Sequence, residues 1–377
     1  MLHEIFDAPS ILQAASEAEQ SEDFWGNGFR EAFDVLVPSM ANEAQLYPAR
    51  AFRMVRFLME ILGTRARIAK TLKSDPNAAD AEIKRPIFIT GLPRTGTTML
   101  HNLMAGLPGF RAFRPWEMRH VVPPEDAGPG WEGEALKDTD VEIRALYERT
   151  PELAKIHPMS ATAPDECHWL IRHSFSSLIF CYMLFTPTYG RWLLQEKRHA
   201  SYGEYKTQLS LLRKRAPEGR LVLKDPGHLW HLDELLSAFP DAIVVRLHRD
   251  PREAVPSLCS LMHALQRMDS ARVDPRDTGP FALEMVSRGL ASEREYRSRA
   301  GDSAFVDIEY RELVKNPMAA VKDICEAAGE ELGPDGLSSI ENWLSMHPQH
   351  KAGKHAYTAE QFGLRPEELV ERFGERG

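Results

Sequence analysis

Cysteine is scarce in this chain. Its 377 residues hold four, Cys167, Cys181, Cys259 and Cys325, and none forms a C-x-x-C pair. That spacing excludes a disulfide framework and suits buried thiols in a reducing compartment, so a cytoplasmic location is expected. Long apolar runs are also missing. The most apolar stretch, Leu178 to Phe185, falls short of the roughly 20 residues needed to cross a bilayer, and no membrane span is expected. The acidic start MLHEIFDAPS lacks the basic-then-apolar order of a secretory signal. Positive charge is not in excess: 46 Lys and Arg stand against 55 Asp and Glu, for a formal charge of -9. Nucleic-acid binders collect cations to neutralise phosphates, so no nucleic-acid partner is expected and any anion site must be local. Neither H-E-x-x-H nor an equivalent metal spacing occurs, and no metal is expected.

What is present is a large hydrophobic fraction, 43%, enough to bury a core without staples. Residues 1 to about 80 carry helical periodicity, with Phe52, Val55, Phe57, Leu58, Ile61 and Leu62 spaced along one face. From Ile83 the texture changes to short apolar strands followed by helices: PIFIT then TTMLHNLMAG, RLVLK then HLWHLDELLSAF, AIVVRLH then REAVPSLCSLMHAL, AFVDI then AAVKDICEAAG. This alternation predicts an α/β fold, a largely parallel, doubly wound sheet flanked by helices, with ligands at the carboxyl ends of its strands. The expected division is an N-terminal helical segment, 1–80, and a main domain, 81–377. Within the latter, about 107–219 reads as a helical insertion facing an acceptor, including one aromatic stretch from about Pro164 to Leu194. A buried core helix would carry the same texture.

The strand Pro86 to Thr90 runs into Gly91-Leu92-Pro93-Arg94-Thr95-Gly96-Thr97-Thr98 and then an amphipathic helix. A glycine loop between a strand and a helix N-terminus cradles phosphate with backbone N–H groups and the helix dipole. Gly91 and Gly96 have the spacing of a Walker loop, but Thr97 stands where the lysine belongs. Without that lysine a triphosphate donor is disfavoured, and a kinase with a degenerate loop becomes the second reading. Arg94 remains as a loop cation suited to the planar oxygens of a phosphate or sulfonate. Farther on, Ala242 to His248 leads into Arg249-Asp250-Pro251-Arg252-Glu253. Asp250 and Glu253 form a capping box around a proline at the first helical position, so a helix begins there. Arg249 and the hydroxyl of Ser257 suit a second, terminal phosphate, which a kinase would not need.

At these motifs the sequence resembles the sulfotransferase superfamily, whose 5'-phosphosulfate loop has the form G-x-P-R-[Ser or Thr]-G-T-T. The resemblance implies that Arg94, Thr95, Gly96, Thr97 and Thr98 bind the 5'-phosphate and sulfate of the donor 3'-phosphoadenylyl sulfate (PAPS), with 3',5'-adenosine bisphosphate (PAP) as product. The run R-D-P-R-x-x-x-x-S is similar to the family's 3'-phosphate motif and implies that role for Arg249 and Ser257. Tyr310-Arg311-Glu312-Leu313 is similar to its Y-E-D-L segment, with Arg311 departing from the usual acid, which places Tyr310 near the adenine. Lys351-Ala352-Gly353-Lys354-His355 looks like the basic glycine loop that closes over the 3'-phosphate, implying Lys351 and Gly353. The likeness spans about Pro86 to Tyr357 and implies sulfuryl transfer to a hydroxyl acceptor.

Such a transfer needs a base on the acceptor hydroxyl and cations on the leaving phosphate. Lys224 ends a strand just before the Asp225-Pro226 helix start. The Lys-Asp-Pro run is similar to the branch that includes tyrosylprotein sulfotransferases, in which this lysine contacts the transferring sulfate. By the same likeness Glu117, in Arg114-Pro115-Trp116-Glu117-Met118-Arg119, takes the acceptor proton; an ion pair with Arg114 or Arg119 is the other use of that carboxylate. The rival base is a histidine of the insertion, His157, His168 or His173, which needs no pKa shift to work near neutrality. Asp165 and Glu166 stand close enough in sequence to orient one of them.

Overall fold

The computed structural model describes residues 2–125, 127–195, 199–347 and 357–374. Five parallel strands form one sheet in the order β2-β3-β1-β4-β5: β1 Ile87–Gly91, β2 Phe110–Arg111, β3 Arg220–Lys224, β4 Ile243–His248 and β5 Phe305–Glu309. Four of these are the strands read from sequence. The two-residue β2 has too little length to show a pattern. Along β1 the side chains alternate between two cores. Ile87 and Ile89 join Leu100, Val245 and Ile324 on one face, whereas Phe88 joins Tyr205, Leu223 and Val244 on the other. Both faces are covered by helices, as an all-parallel sheet requires.

Register then decides where the motifs meet. Ile89 pairs with Lys224, Gly91 with Leu247 and His248 with Glu309. The strands therefore end together, and Leu92–Gly96, Asp225, Arg249 and Tyr310 all emerge at one edge of the sheet. β1 lies between β3 and β4, so the connections leave it in opposite directions and open a crevice there.

Helices Ala8–Glu19, Arg30–Glu43 and Pro48–Ser74 precede the sheet. Their apolar faces share a continuous core with the middle of the chain: Phe29 and Phe33 pack on Phe175, and Phe57 on Phe180. The stretch expected as one helix near Pro164 to Leu194 is instead four short pieces, His168–Ile171, a 3-10 turn Arg172–Ser174, Ile179–Met183 and Pro187–Leu193. Phe175 takes a left-handed backbone with φ 54°, Ser176 and Ser177 follow it, and Pro187 restarts the chain; each favours a break over continuation. Conversely, helix Pro251–Gln266 runs through Pro256 without ending. No described helix is long and apolar enough to cross a membrane.

Candidate active site

Between strand ends and helices lies a cavity of about 580 Å³. Its floor is the loop after β1. Gly91 sits so close to β4 that an added Cβ would fall 2.6 Å from the Leu247 carbonyl oxygen. Arg94 and Gly96 both adopt left-handed backbone, φ 69° and 83°, which bends the loop into helix Thr97–Ala105. Thr95 braces the bend by donating to the Leu92 carbonyl at 2.7 Å. Pro93, Arg94, Gly96, Thr97 and Thr98 line the cavity.

Two distant segments close on this loop. Arg249 donates through Nη1 to the Arg94 carbonyl at 2.6 Å, and its guanidinium lies 4.8 Å from the Tyr310 ring centre. A Cβ on Gly96 would meet that same ring at 3.1 Å. Arg249, Tyr310 and the loop thus form one cluster although they are far apart in sequence. Arg249, just before the helix start, also reaches Glu253 in its first turn at 3.4 Å. Ser257 is buried two turns farther along the same helix and is not among the described residues lining the cavity. Lys351 and Gly353 lie outside the described residues.

Lys224, at the end of β3, is buried, and its Nζ donates to Glu166 Oε1 at 2.6 Å and to Thr98 Oγ1 at 3.4 Å. Glu166 Oε2 in turn meets His168 Nδ1 at 3.2 Å. Burial opposes ionisation of Glu166, but Lys224 and then His168 outweigh it and hold the carboxyl well below its ordinary range. Burial drives the His157 imidazole down, against the pull of Glu166 and Asp165. Asp225 caps the next turn by accepting from the Gly227 N–H at 2.7 Å; burial, then the negative charge of Glu166, pushes it up to about 6. Glu166, His157 and His168 all line the cavity.

Glu117 is not brought to this cluster. It occupies the third position of helix Pro115–Arg119, where Oε2 accepts the Arg114 N–H at 2.9 Å and Oε1 accepts from Arg111. Both oxygens are engaged and the residue is buried away from the cavity lining. The ion pair is made with Arg111 rather than with the expected Arg114 or Arg119; Arg119 pairs with Glu142 instead. His173 also lies apart: its Nδ1 meets Gln208 Oε1 at 2.6 Å, and burial lowers its pKa to about 3. Of the three histidines, His168 alone sits in the Lys224–Glu166 chain. Glu166 itself was legible only as a possible partner of a histidine. Nothing local in Asp165-Glu166-Cys167-His168 says that a strand end 58 residues later will point at it.

The opposite wall is helical and largely apolar, with charged side chains such as Arg53, Arg149 and Asp269 also in its lining. Met54 and Phe57 come from helix Pro48–Ser74, Ile143 and Leu146 from helix Trp131–Arg149, Ile179 and Met183 from the broken segment, and Leu261 and Leu265 from helix Pro251–Gln266.

A sulfotransferase-family model matches residues 86–334. The chain is 26% identical over 325 residues, 82% of its own length and 77% of the relative's, to the omega-hydroxy-beta-dihydromenaquinone-9 sulfotransferase Stf3 of Mycobacterium bovis. Among solved structures it is similar to the sulfotransferase STF1 of Mycobacterium tuberculosis H37Rv, with TM-score 0.83, 29% identity and 97% of each chain covered. It is also similar to the sulfotransferase STF9 of Mycobacterium avium, with TM-score 0.86 and 28% identity, covering 97% of this chain and 94% of that one. A strand-end loop without the Walker lysine, ringed by arginines and set on this fold, agrees with these matches and not with a kinase: the chain belongs to the sulfotransferase family and is a sulfotransferase.

Proposed function

We propose that the enzyme transfers the sulfuryl group of PAPS to the hydroxyl of an apolar acceptor. The observation that carries the reading is the convergence of the Arg94 loop, Arg249 and Tyr310 beside the buried Lys224–Glu166 pair. Arg94 and the N–H groups leading into helix Thr97–Ala105 receive the 5'-phosphosulfate; Thr95, Thr97 and Thr98 shape that turn. Arg249 takes the 3'-phosphate with Ser257, and Tyr310 stacks by the adenine. The acceptor side is read as apolar from Met54, Phe57, Leu146, Ile179, Met183 and Leu261. The Mycobacterium bovis relative, named for a hydroxylated menaquinone, supports the same class of acceptor.

In the transfer, the acceptor oxygen forms a new bond to sulfur as the bond from sulfur to the bridging phosphate oxygen breaks, and that electron pair leaves on adenosine bisphosphate. Lys224 and Arg94 stabilise the charge growing there. The acceptor proton goes to Glu166, in the role first expected of Glu117. In the free enzyme Lys224 keeps this carboxylate a weak base. Once the Nζ turns to the sulfuryl oxygens, burial is left as the dominant influence and raises proton affinity when it is needed. His168 supports a second reading, since the same carboxylate would fix its tautomer and let the imidazole take the proton.

The donor assignment is tested by calorimetric titration with 3',5'-adenosine bisphosphate without metal, adenosine 5'-monophosphate, and ATP with Mg²⁺. The bisphosphate is expected to bind tightest by at least about tenfold, as one charge-assisted contact implies. Equal affinity for bisphosphate and monophosphate would remove the second anion site.

A further inference from the structure

A second cavity of about 340 Å³ lies behind the apolar wall, between helix Pro48–Ser74 and the segment from His168 to Ser174. It shares Arg56, Phe57, Glu60, Arg119 and Arg172 with the first, so the two spaces adjoin at those side chains. Four arginines, Arg56, Arg67, Arg119 and Arg172, line it against two glutamates, Glu19 and Glu60. Burial and then Arg119 hold the neighbouring His120 imidazole down to about 4, so it adds no charge near neutrality. The lining is net cationic in a protein whose formal charge is -9.

The arginines are not equivalent. Arg67 pairs with Glu19 at 3.3 Å, Arg56 with Glu60 at 3.7 Å, and Arg119 with Glu142 through Nη2 at 2.9 Å. The Arg172 side chain makes no hydrogen bond or ion pair among the described residues, and its Nε is buried without a partner. Trp169 and Phe57 cover the guanidinium, their ring centres 4.4 and 5.2 Å away, which leaves its N–H edge as the part able to bind. A buried Nε–H without an acceptor is costly, and an arriving anion would offset that cost with charge-assisted bonds to the guanidinium.

Position adds the second link. Arg172 follows His168 by four residues, where the α-helical turn passes into a 3-10 turn, and both side chains line the first cavity. A molecule whose hydroxyl reaches the Glu166–His168 pair therefore passes Arg172 within its own length. We infer that the acceptor is an amphiphile carrying, besides its hydroxyl and apolar body, an anionic group, a carboxylate or phosphate, received by Arg172 where the two cavities meet. The inference rests on the sulfotransfer reading above and narrows its acceptor. An anion there makes Arg172 a specificity residue: it selects acidic acceptors over neutral ones of equal length.

The test compares an ω-hydroxy fatty acid with its methyl ester, which keeps hydroxyl and chain and removes the charge. The acid is expected to show a kcat/KM at least about tenfold higher, and Arg172→Gln to bring that ratio toward one. A wild-type ratio of one, or a preference for the ester, overturns the inference, as does a ratio that survives Arg172→Gln. Calorimetric binding of acid and ester to the adenosine-bisphosphate complex reads the same preference without turnover and without the variant. If adenosine bisphosphate itself fails to bind, the donor reading falls, and the acid-to-ester preference is then measured on the nucleotide-free protein, where it still decides this question. Inorganic phosphate, added at saturating donor, is expected to compete with the acid and leave the ester untouched; equal inhibition of both would mark a free-anion site and overturn the proposal.

Discussion

The donor half and the acceptor half of this site are built by different means. On the donor side every group hangs from the end of a parallel strand: the Arg94 loop from β1, Lys224 from β3, Arg249 from β4 and Tyr310 from β5. Backbone register fixes where those ends lie, so short local motifs suffice to specify the site. The acceptor wall is assembled from helices spread between Pro48 and Gln266, held by how their apolar faces interlock and by ion pairs such as Arg53–Asp269 and Arg119–Glu142. Strand ends tolerate little change in position, whereas a packed helical wall can change its lining while keeping its volume. On the proposed reading, substitutions in the helical wall should therefore alter selectivity among hydroxyl acceptors more readily than substitutions at the strand ends.

Acid offers the largest test of whether the halves are one folding unit. His101 and His228 lie beneath the strand ends and His173 lies among the helices behind the acceptor wall, lining the second cavity; burial lowers each to about 3. In the unfolded chain these imidazoles take up protons below about 6.5, so the stability that comes from keeping them neutral is present above that pH and lost as pH falls toward 3. From pH 7 to pH 5 the loss is roughly 2 kcal/mol per histidine. Asp225, whose folded pKa is raised, works the other way, by about 1 kcal/mol over the same window. A single cooperative melting transition should move to markedly lower temperature at pH 5. Two separate transitions would show that the acceptor wall melts on its own and the comparison is one of two domains.

Next in size is the exchange of base. Glu166→Gln should lower kcat by about 10² to 10⁴ with nucleotide affinity retained. Glu117→Gln should leave turnover per folded molecule nearly intact and reduce stability by about 1–3 kcal/mol, because Arg111 loses its charged partner. Replacing His168 by Asn separates the remaining readings: a fall as deep as that of Glu166→Gln makes the imidazole the proton acceptor. If Glu117→Gln stays folded and loses turnover, the base is Glu117 and the assignment to Glu166 fails.

The same contrast explains what could be read in advance. The α/β order, four strands, the phosphate loop and the helix begun by Asp250 and Pro251 were legible because each is a local pattern with a local cause. Lys224 was legible because it ends a strand and its neighbour Asp225 starts the next turn. The place of Glu166 was not, since it comes from a 2.6 Å contact with Lys224 across 58 residues of sequence. Glu117 misled for the converse reason: capping a short helix and bonding Arg111 demand the same residue that a catalytic base would. The break at Phe175 was hidden because an aromatic residue with left-handed backbone contradicts local preference and is held there by Phe29, Phe33 and Phe180.

The smallest effects are expected within the second anion site, where Arg249 and Ser257 play unequal parts. Arg249 touches both the loop carbonyl of Arg94 and the ring of Tyr310, so Arg249→Ala should remove the preference for a 3'-phosphate, about 10- to 100-fold, and also loosen the loop enough to weaken adenosine 5'-monophosphate slightly. Ser257 sits two helical turns on, buried, and offers one neutral hydroxyl. If that hydroxyl reaches the 3'-phosphate, Ser257→Ala weakens adenosine bisphosphate by only about 3- to 10-fold, the worth of a single hydrogen bond, and leaves the monophosphate unchanged. Titrating both nucleotides against both variants gives four affinities. A drop confined to the bisphosphate places the hydroxyl on the anion, and no drop with either nucleotide makes Ser257 a packing residue of its helix. Equal drops with both would mean that the substitution disturbs the helix start that carries Arg249, and that the strand-end half of the site depends on helix packing as much as the acceptor wall does.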